Sequence, residues 1–283
     1  MPTLFERKPM SDRRAQQLAG AAVLLAAAGF GYRCWSKWSG AADPERVGYA
    51  PLDTLKPIAP DLWIVDSTIV AGGLAMPIRM TVARLASGGL LLHSPTRLTA
   101  ELAASIKALG TVEHLVAPSI AHWTHLADWQ RAFPDATTWG VPGLRDRPQV
   151  RRSATVIDHD LGEAAPAEWQ AELTQTLVRG GGGFVEAAFV HRASNTLVLS
   201  DLIENLEPAK LPPVTRLTMA AFAGTRGTTA LHVRAAVLLG GEEAKRALRG
   251  LAGLAPERVI MAHGQMFEED AERRLLEAFA WAA

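Results

Sequence analysis

Cysteine occurs once in 283 residues, as Cys34. That excludes an intramolecular disulfide framework and any zinc cluster built on thiolates. Net charge is absent too, with 29 Lys plus Arg against 29 Asp plus Glu. Nucleic acid is therefore excluded as the main partner, because neutralising phosphates requires a basic excess. No Gly-x-Ser-x-Gly elbow occurs, so a serine hydrolase has no support. The run Gly180–Gly183 is followed by neither a Lys-Ser/Thr pair nor a helix start, which excludes a phosphate-binding loop. Internal repeats and low-complexity tracts are lacking as well. What the chain has is apolar content, 48% of its residues. That is enough for a sizeable core and incompatible with disorder. The length suits one large α/β domain.

The N-terminus carries an apolar run with no charged side chain, the fifteen residues Leu18 to Tyr32. It follows Arg7, Lys8, Arg13 and Arg14 and precedes Arg33 and Lys37. A spanning helix needs about 20 apolar residues, with a lower limit near 17, so the run must draw in its flanks to cross a bilayer. A basic stretch, a short apolar core and the small residues Ala26 and Ala28 also fit a secretory signal. Trp35 and Trp38 suit an interfacial belt and favour an anchor. The cationic excess before the run keeps the N-terminus in the cytoplasm and puts the body on the far side. The chain thus divides into a basic segment over 1–17, a hydrophobic anchor or signal over 18–35, a linker over 36–54 and a domain over 55–283. Linker-like composition continues to Pro60. The expected location is membrane-anchored through the single N-terminal segment. The alternative is a secreted or periplasmic protein after cleavage.

Beyond the linker, short β-rich runs come first. Leu62–Val65, Met80–Leu85 and Leu90–His93 have strand composition, and Ser87-Gly88-Gly89 reads as a hairpin turn. Thr99 opens a helix with Leu102, Ile106 and Leu109 on one face. A strand over His114–Ala117, a helix over Leu126–Phe133 and a strand over Thr137–Val141 follow. Trp169–Val178, Phe184–His191 and Thr196–Ser200 form a β-meander. Helices over Ala230–Leu239 and Glu242–Leu251, a strand over Arg258–Ala262 and a closing helix complete the chain. Two β-rich halves, each carrying helices, predict an α+β fold, a four-layer αββα sandwich.

Three features at strand ends carry the chemistry. His122 and His125 lie in the loop after the strand His114–Ala117, Asp201 follows Thr196–Ser200 directly, and His263 follows Val259–Ala262. Imidazoles and a carboxylate gathered at strand termini suit zinc or iron. Each also has a plainer reading. The histidine pair could belong to a helix start, Asp201 could cap a turn, and His263 could be a satisfied core residue. His159 and His191 read as surface residues, and nothing local draws His232 to the site.

In this order, the residues resemble the metallo-β-lactamase-like superfamily, in a branch known only as a domain of unknown function. The segment IAHWTHLADW lies over that family's H-x-H-x-D-H loop, LVLSDL over its bridging-aspartate strand and MAHG over its last ligand. APDLWIVDS, the Arg79–Leu85 strand and LLLHSPTRL are similar to its opening meander. In this register Ile120 stands where the first histidine belongs, Thr124 at the aspartate, and Gly182 near a further histidine. The resemblance therefore implies one metal ion, zinc or iron, held by His125, Asp201 and His263 with His122 as a fourth ligand or adjacent base. His93 and Thr124 are expected beside the ligands rather than among them, with His93 hydrogen-bonding the ligand loop. The implied activity is metal-dependent hydrolysis of an unidentified small molecule: an ester, thioester, lactone, amide or phosphodiester. The alternative is a non-catalytic binding or scaffold protein of the same fold, and an iron-based redox variant is a lesser third.

Overall fold

The computed structural model describes residues 43–283. The anchor or signal over 18–35 lies outside them. Among the described residues no helix is long and apolar enough to cross a membrane.

Eleven strands form two sheets. The first has seven strands in chain order: β1 (Leu55–Ala59), β2 (Leu62–Ala71), β3 (Leu74–Arg84), β4 (Leu90–His93), β5 (Val112–Ala117), β6 (Thr137–Gly140) and β7 (His159–Asp160). Pairing is antiparallel as far as β4 and parallel from β4 onward. The second sheet has the order β11 (Arg258–Met261), β10 (Thr196–Leu199), β9 (Val185–His191) and β8 (Leu173–Arg179), with β10 and β11 parallel. Short α1 (Pro44–Val47) and α4 (Pro148–Arg151) accompany five longer helices. These are α2 (Ala100–Leu109), α3 (Leu126–Ala132), α5 (Pro213–Ala221), α6 (Leu231–Ala252) and α7 (Ala271–Phe279).

The period-2 alternation of the second sheet builds the layers. Val198, Ile260, Ala187 and Phe189 point one way and share a core with Leu62, Val82 and Leu91 of the first sheet. Their neighbours Leu197, Leu199, Val259 and Met261 point the other way, onto Val233, Val237 and Leu248 of α6 and Leu275 of α7. On the far side of the first sheet, Leu102 and Ile106 of α2 and Trp129 of α3 join the larger core. The result is the expected αββα sandwich.

Several element boundaries differ from expectation. The stretch to Pro60 is not all linker: β1 pairs with β2 from Leu55↔Val65, and Val47 of α1 is buried. Lys56 and Pro57 hide this strand in sequence, and Pro57 is tolerated because β1 is an edge. Trp169 belongs not to β8 but to a turn after Pro166, where its backbone N–H donates to the Pro166 carbonyl at 3.2 Å. The two helices expected over Ala230–Leu239 and Glu242–Leu251 are present as the two halves of α6, divided at Gly241, whose φ of +72° is not helical. Gly240 beside it is required because a Cβ there would stand 2.5 Å from the Arg179 carbonyl oxygen at the end of β8. His191 is buried rather than on the surface, with Nδ1 2.8 Å from Ser194 Oγ. Helix α5 gives no clear signal in sequence, because prolines crowd its start.

One arginine joins the sheets. Arg79 on β3 and Asp66 on β2 face each other across the register, 2.7 Å apart and both buried. Lys56 Nζ reaches the other Asp66 oxygen at 2.8 Å. Arg79 Nη1 continues across the interface, donating to the carbonyls of Met261 at 2.8 Å and Gly264 at 2.9 Å. Arg79→Met should lower unfolding free energy by about 3 kcal/mol, because it leaves Asp66 buried with only Lys56 for a partner. Urea denaturation of parent and variant measures the difference.

Candidate metal centre

Asp201 and His263 are brought together by strand register. β10 and β11 run parallel with Leu199 opposite Met261, so two residues further on Asp201 stands opposite His263. The chain after His263 is pinned against the chain after Asp201. Asn205 N–H donates to the His263 carbonyl, and Gln265 N–H to the Asn205 carbonyl, each at 3.0 Å. This close approach needs glycine at 264, where φ is +101° and a Cβ would lie 2.0 Å from the Asn205 oxygen.

His122 arrives from the other sheet. The loop after β5 crosses to β9, where Ala187 N–H donates to the Pro118 carbonyl at 2.7 Å and Ser119 bridges Glu186. The Ser119 hydroxyl then donates to Asp201 Oδ2 at 3.1 Å. His122 Nε2 lies 3.1 Å from Asp201 Oδ1, and His263 Nε2 lies 3.5 Å from the same oxygen. The two imidazole centroids are 5.2 Å apart.

The far nitrogen of each ring is already engaged. His263 Nδ1–H donates to the Pro77 carbonyl at 2.8 Å, which fixes the tautomer and leaves Nε2 for the site. His122 Nδ1 is 2.6 Å from the Ser94 hydroxyl. The side chains of His122 and His263 are 2% and 9% exposed and that of Asp201 16%, so solvent reaches the group mainly past the carboxylate.

Two further carboxyls surround the group. Glu186 on β9 is fully buried and accepts the backbone N–H of Ser200 at 2.7 Å and of Asp201 at 2.8 Å. Burial and the Asp201 charge push Glu186 up to about 8, against the pull of those donors. Glu204 is buried near His263, with Oε2 lacking a partner, and burial pushes it up to about 7. Burial pushes Asp201 upward too, but His122 and His263 hold it well below the usual carboxylate range. Burial opposes charge on His263, yet Asp201, Glu204 and the Pro77 carbonyl raise it above its ordinary value.

The structure thus groups His122, Asp201 and His263, whose ligand atoms lie within 4.8 Å of one another. His125 is not in this group. It precedes α3, burial lowers its pKa, and its charged neighbours are Asp128, Arg97 and Asp53. Its Nε2 is buried without a hydrogen-bond partner, whereas Ser94 and Asp201 hold His122 inward. Of the four expected ligands, the structure brings His122, Asp201 and His263 together and leaves His125 outside the group.

His93 is buried against Phe189 with Nε2 unpartnered, and burial lowers its pKa to about 3. The hydrogen bond to the ligand loop expected of His93 comes instead from its neighbour Ser94. Thr124 is exposed, outside the group. Gly182 is exposed in a turn at φ +67°, with open space within 4 Å of where a Cβ would stand. Sequence reasoning missed Ser94, Arg79, Ser119, Glu186 and Glu204. Lone charges inside apolar strands, Arg79 in MPIRMTV and Glu186 in FVEAAFV, were the available signal.

The fold is that of the metallo-β-lactamases. The TMB-1 metallo-β-lactamase aligns with a TM-score of 0.58 at 12% identity, covering 81% of this chain and 97% of that one. A metallo-β-lactamase from Pontibacter korlensis aligns at 0.55 and 14% identity, covering 80% and 98%. FIM-1 from Pseudomonas aeruginosa, solved in a mono-zinc form, aligns at 0.51 and 14% identity, covering 81% and 95%. Within that fold the chain belongs to the family described as "Domain of unknown function (DUF4336)", matched over residues 60–236. No curated protein matches it.

Gly264→Ala should cost several kcal/mol of stability or displace His263, since neither Asn205 nor the positive φ yields cheaply (roughly 1–3 kcal/mol for strain alone). Thermal unfolding and histidine NMR shifts distinguish the two effects. Glu204 gives a pH signature. In metal-free protein the folded state keeps its proton to about pH 7, whereas the unfolded chain releases it near 4.5. Its contribution to stability therefore falls as pH rises through that window, by at most about 1.4 kcal/mol per unit. Glu204→Gln lacks the titration, so its stability relative to the parent should climb from pH 5 to 7 in chelator-treated unfolding curves.

Proposed function

We propose that the protein is a metal-dependent hydrolase with a single ion held by His122, Asp201 and His263. The observation that carries this reading is the pair of imidazoles presenting Nε2 to one carboxylate, each with its Nδ1 already hydrogen-bonded. Two histidines and a carboxylate with one open side are a donor set that zinc accepts in catalytic sites. Iron is compatible with the same donors. Among the described residues no second group of this kind occurs, which favours one ion over two.

An ion bound there supplies Lewis acidity and acidifies water. The chain's own residues do the rest. Ser94 and Pro77 orient the rings, and Ser119 holds Asp201 Oδ2 so that Oδ1 faces both imidazoles. Glu186 fixes the Asp201 backbone through two N–H bonds. Glu204, pushed up to about 7 beside His263, is suited to hold or deliver a proton near neutral pH. The substrate is a small molecule with a hydrolysable bond. The membrane reading of residues 18–35 extends the proposal: the domain is tethered there, with its body outside the cytoplasm. Exposed Thr124 and Gly182 supply no ligands for a second ion, which is the observation behind a competing, non-catalytic scaffold.

Metal analysis by plasma mass spectrometry tests the proposal. The parent should carry close to one zinc or iron per chain, His122→Ala and His263→Ala should lose it, and His125→Ala should retain it. Folded parent protein without metal after zinc loading would leave the scaffold.

A further inference from the structure

From Pro208 to Gly241 the chain has no Asp or Glu but carries Lys210, Arg216, Arg226 and Arg234. Arg216 and Arg226 are exposed and have no ion-pair partner among the described residues. The same stretch exposes large apolar side chains. On α5, Leu217 is 74% exposed, with Ala220 and Ala221 at i+3 and i+4 on the same side. On α6, Leu231, Ala235 and Leu238 recur at i, i+4 and i+7, all exposed, with Leu239 at 75% beside them. The two stripes meet where Leu231 N–H donates to the Phe222 carbonyl and the Phe222 ring lies 6.1 Å from that of His232.

A third element joins this surface. The β2–β3 hairpin is uncharged from Ser67 to Ile78, and Val70 at its tip is 69% exposed. Its neighbours Ile69 and Leu74 pack with Met219 of α5. An exposed apolar surface whose own segments carry unpaired cations and no acidic residue is unlike an ordinary solvated surface. It has the composition of an interfacial membrane-binding surface, with leucine and phenylalanine to enter the headgroup region and arginine for anionic lipid.

The chain's own layout points the same way. Where residues 43–50 join the domain, Gly48 accepts a hydrogen bond from Lys210 Nζ at 3.0 Å, and that ammonium lies 5.0 Å from the Tyr49 ring. Lys210 stands three residues before α5, so the chain joins the body beside this face. From Tyr32, the end of the apolar run, to Asp43 is eleven residues, a reach of at most about 40 Å. We propose that the tip of β2–β3, α5 and the first half of α6 form a docking surface that rests on an anionic lipid bilayer. It rests on the membrane tether for its short reach.

The test uses the full chain with Cys34→Ser, reconstituted with phosphatidylcholine vesicles with or without phosphatidylserine. An environment-sensitive fluorophore is placed at Leu217→Cys, Leu238→Cys or, as a remote exposed control, Val156→Cys. Brominated lipids should quench the probes at 217 and 238 but not at 156. Phosphatidylserine should increase the quenching, and Arg216→Glu with Arg226→Glu should abolish that increase. Vesicle flotation without quenching at 217 and 238 overturns the docking surface and leaves the tether standing. Failure to float overturns both. Equal quenching at all three positions also overturns the proposal, because it shows no preferred face.

Discussion

Arg79 is the residue on which the arrangement of the site depends. It lies in the first sheet, paired with Asp66, and its hydrogen bonds end on carbonyls on either side of His263 in the second. A buried guanidinium is tolerated only when its charge and its donors are matched, and here each match is also a constraint. The pair fixes the guanidinium within the first sheet, and the carbonyl bonds fix where His263 emerges from the second. Pro77, two residues before Arg79, completes this by orienting the His263 ring. Backbone and side chain of one ligand are thus both set from a single strand of the opposite sheet.

The same logic governs Asp201. Its backbone is held by Glu186, its outer oxygen by Ser119, and its inner oxygen faces two imidazoles. Glu186 and Asp201 are carboxyls in one buried neighbourhood, and their environments push them in opposite directions. Asp201 keeps its charge because two histidines face it. Glu186 resists ionisation because burial is compensated only by backbone N–H groups. A negatively charged oxygen is therefore concentrated where the imidazole nitrogens converge.

The layers and most strands were legible in sequence because their apolar alternation is strong and their turns are marked by glycine. β1 was hidden by Lys56 and Pro57 on an edge, and α5 by the proline-rich segment before it. The strand-end positions of Asp201 and His263 were legible for the same reason that the strands were. The choice between His122 and His125 was not, since both lie in one short loop and the deciding contacts come from afar. Ser94 and Asp201 draw one ring inward, and no comparable hydrogen bond holds the Nε2 of the other. Glu186 was overlooked because a single acid in an apolar strand has no local pattern to announce its partners.

The bond from Arg79 to Met261 spans 182 positions of the chain. Contacts of that separation carry a loop-closure cost before they return any stability. The candidate metal centre is built from such contacts. Until the C-terminal strand has docked, the chain has no place in which two imidazoles and Asp201 meet. Any ion that prefers this geometry acts as a latch on the finished fold, adding stability in proportion to the logarithm of its free concentration over its dissociation constant. Were the proposed ion bound, its free concentration and the equilibrium stability of the fold would be linked.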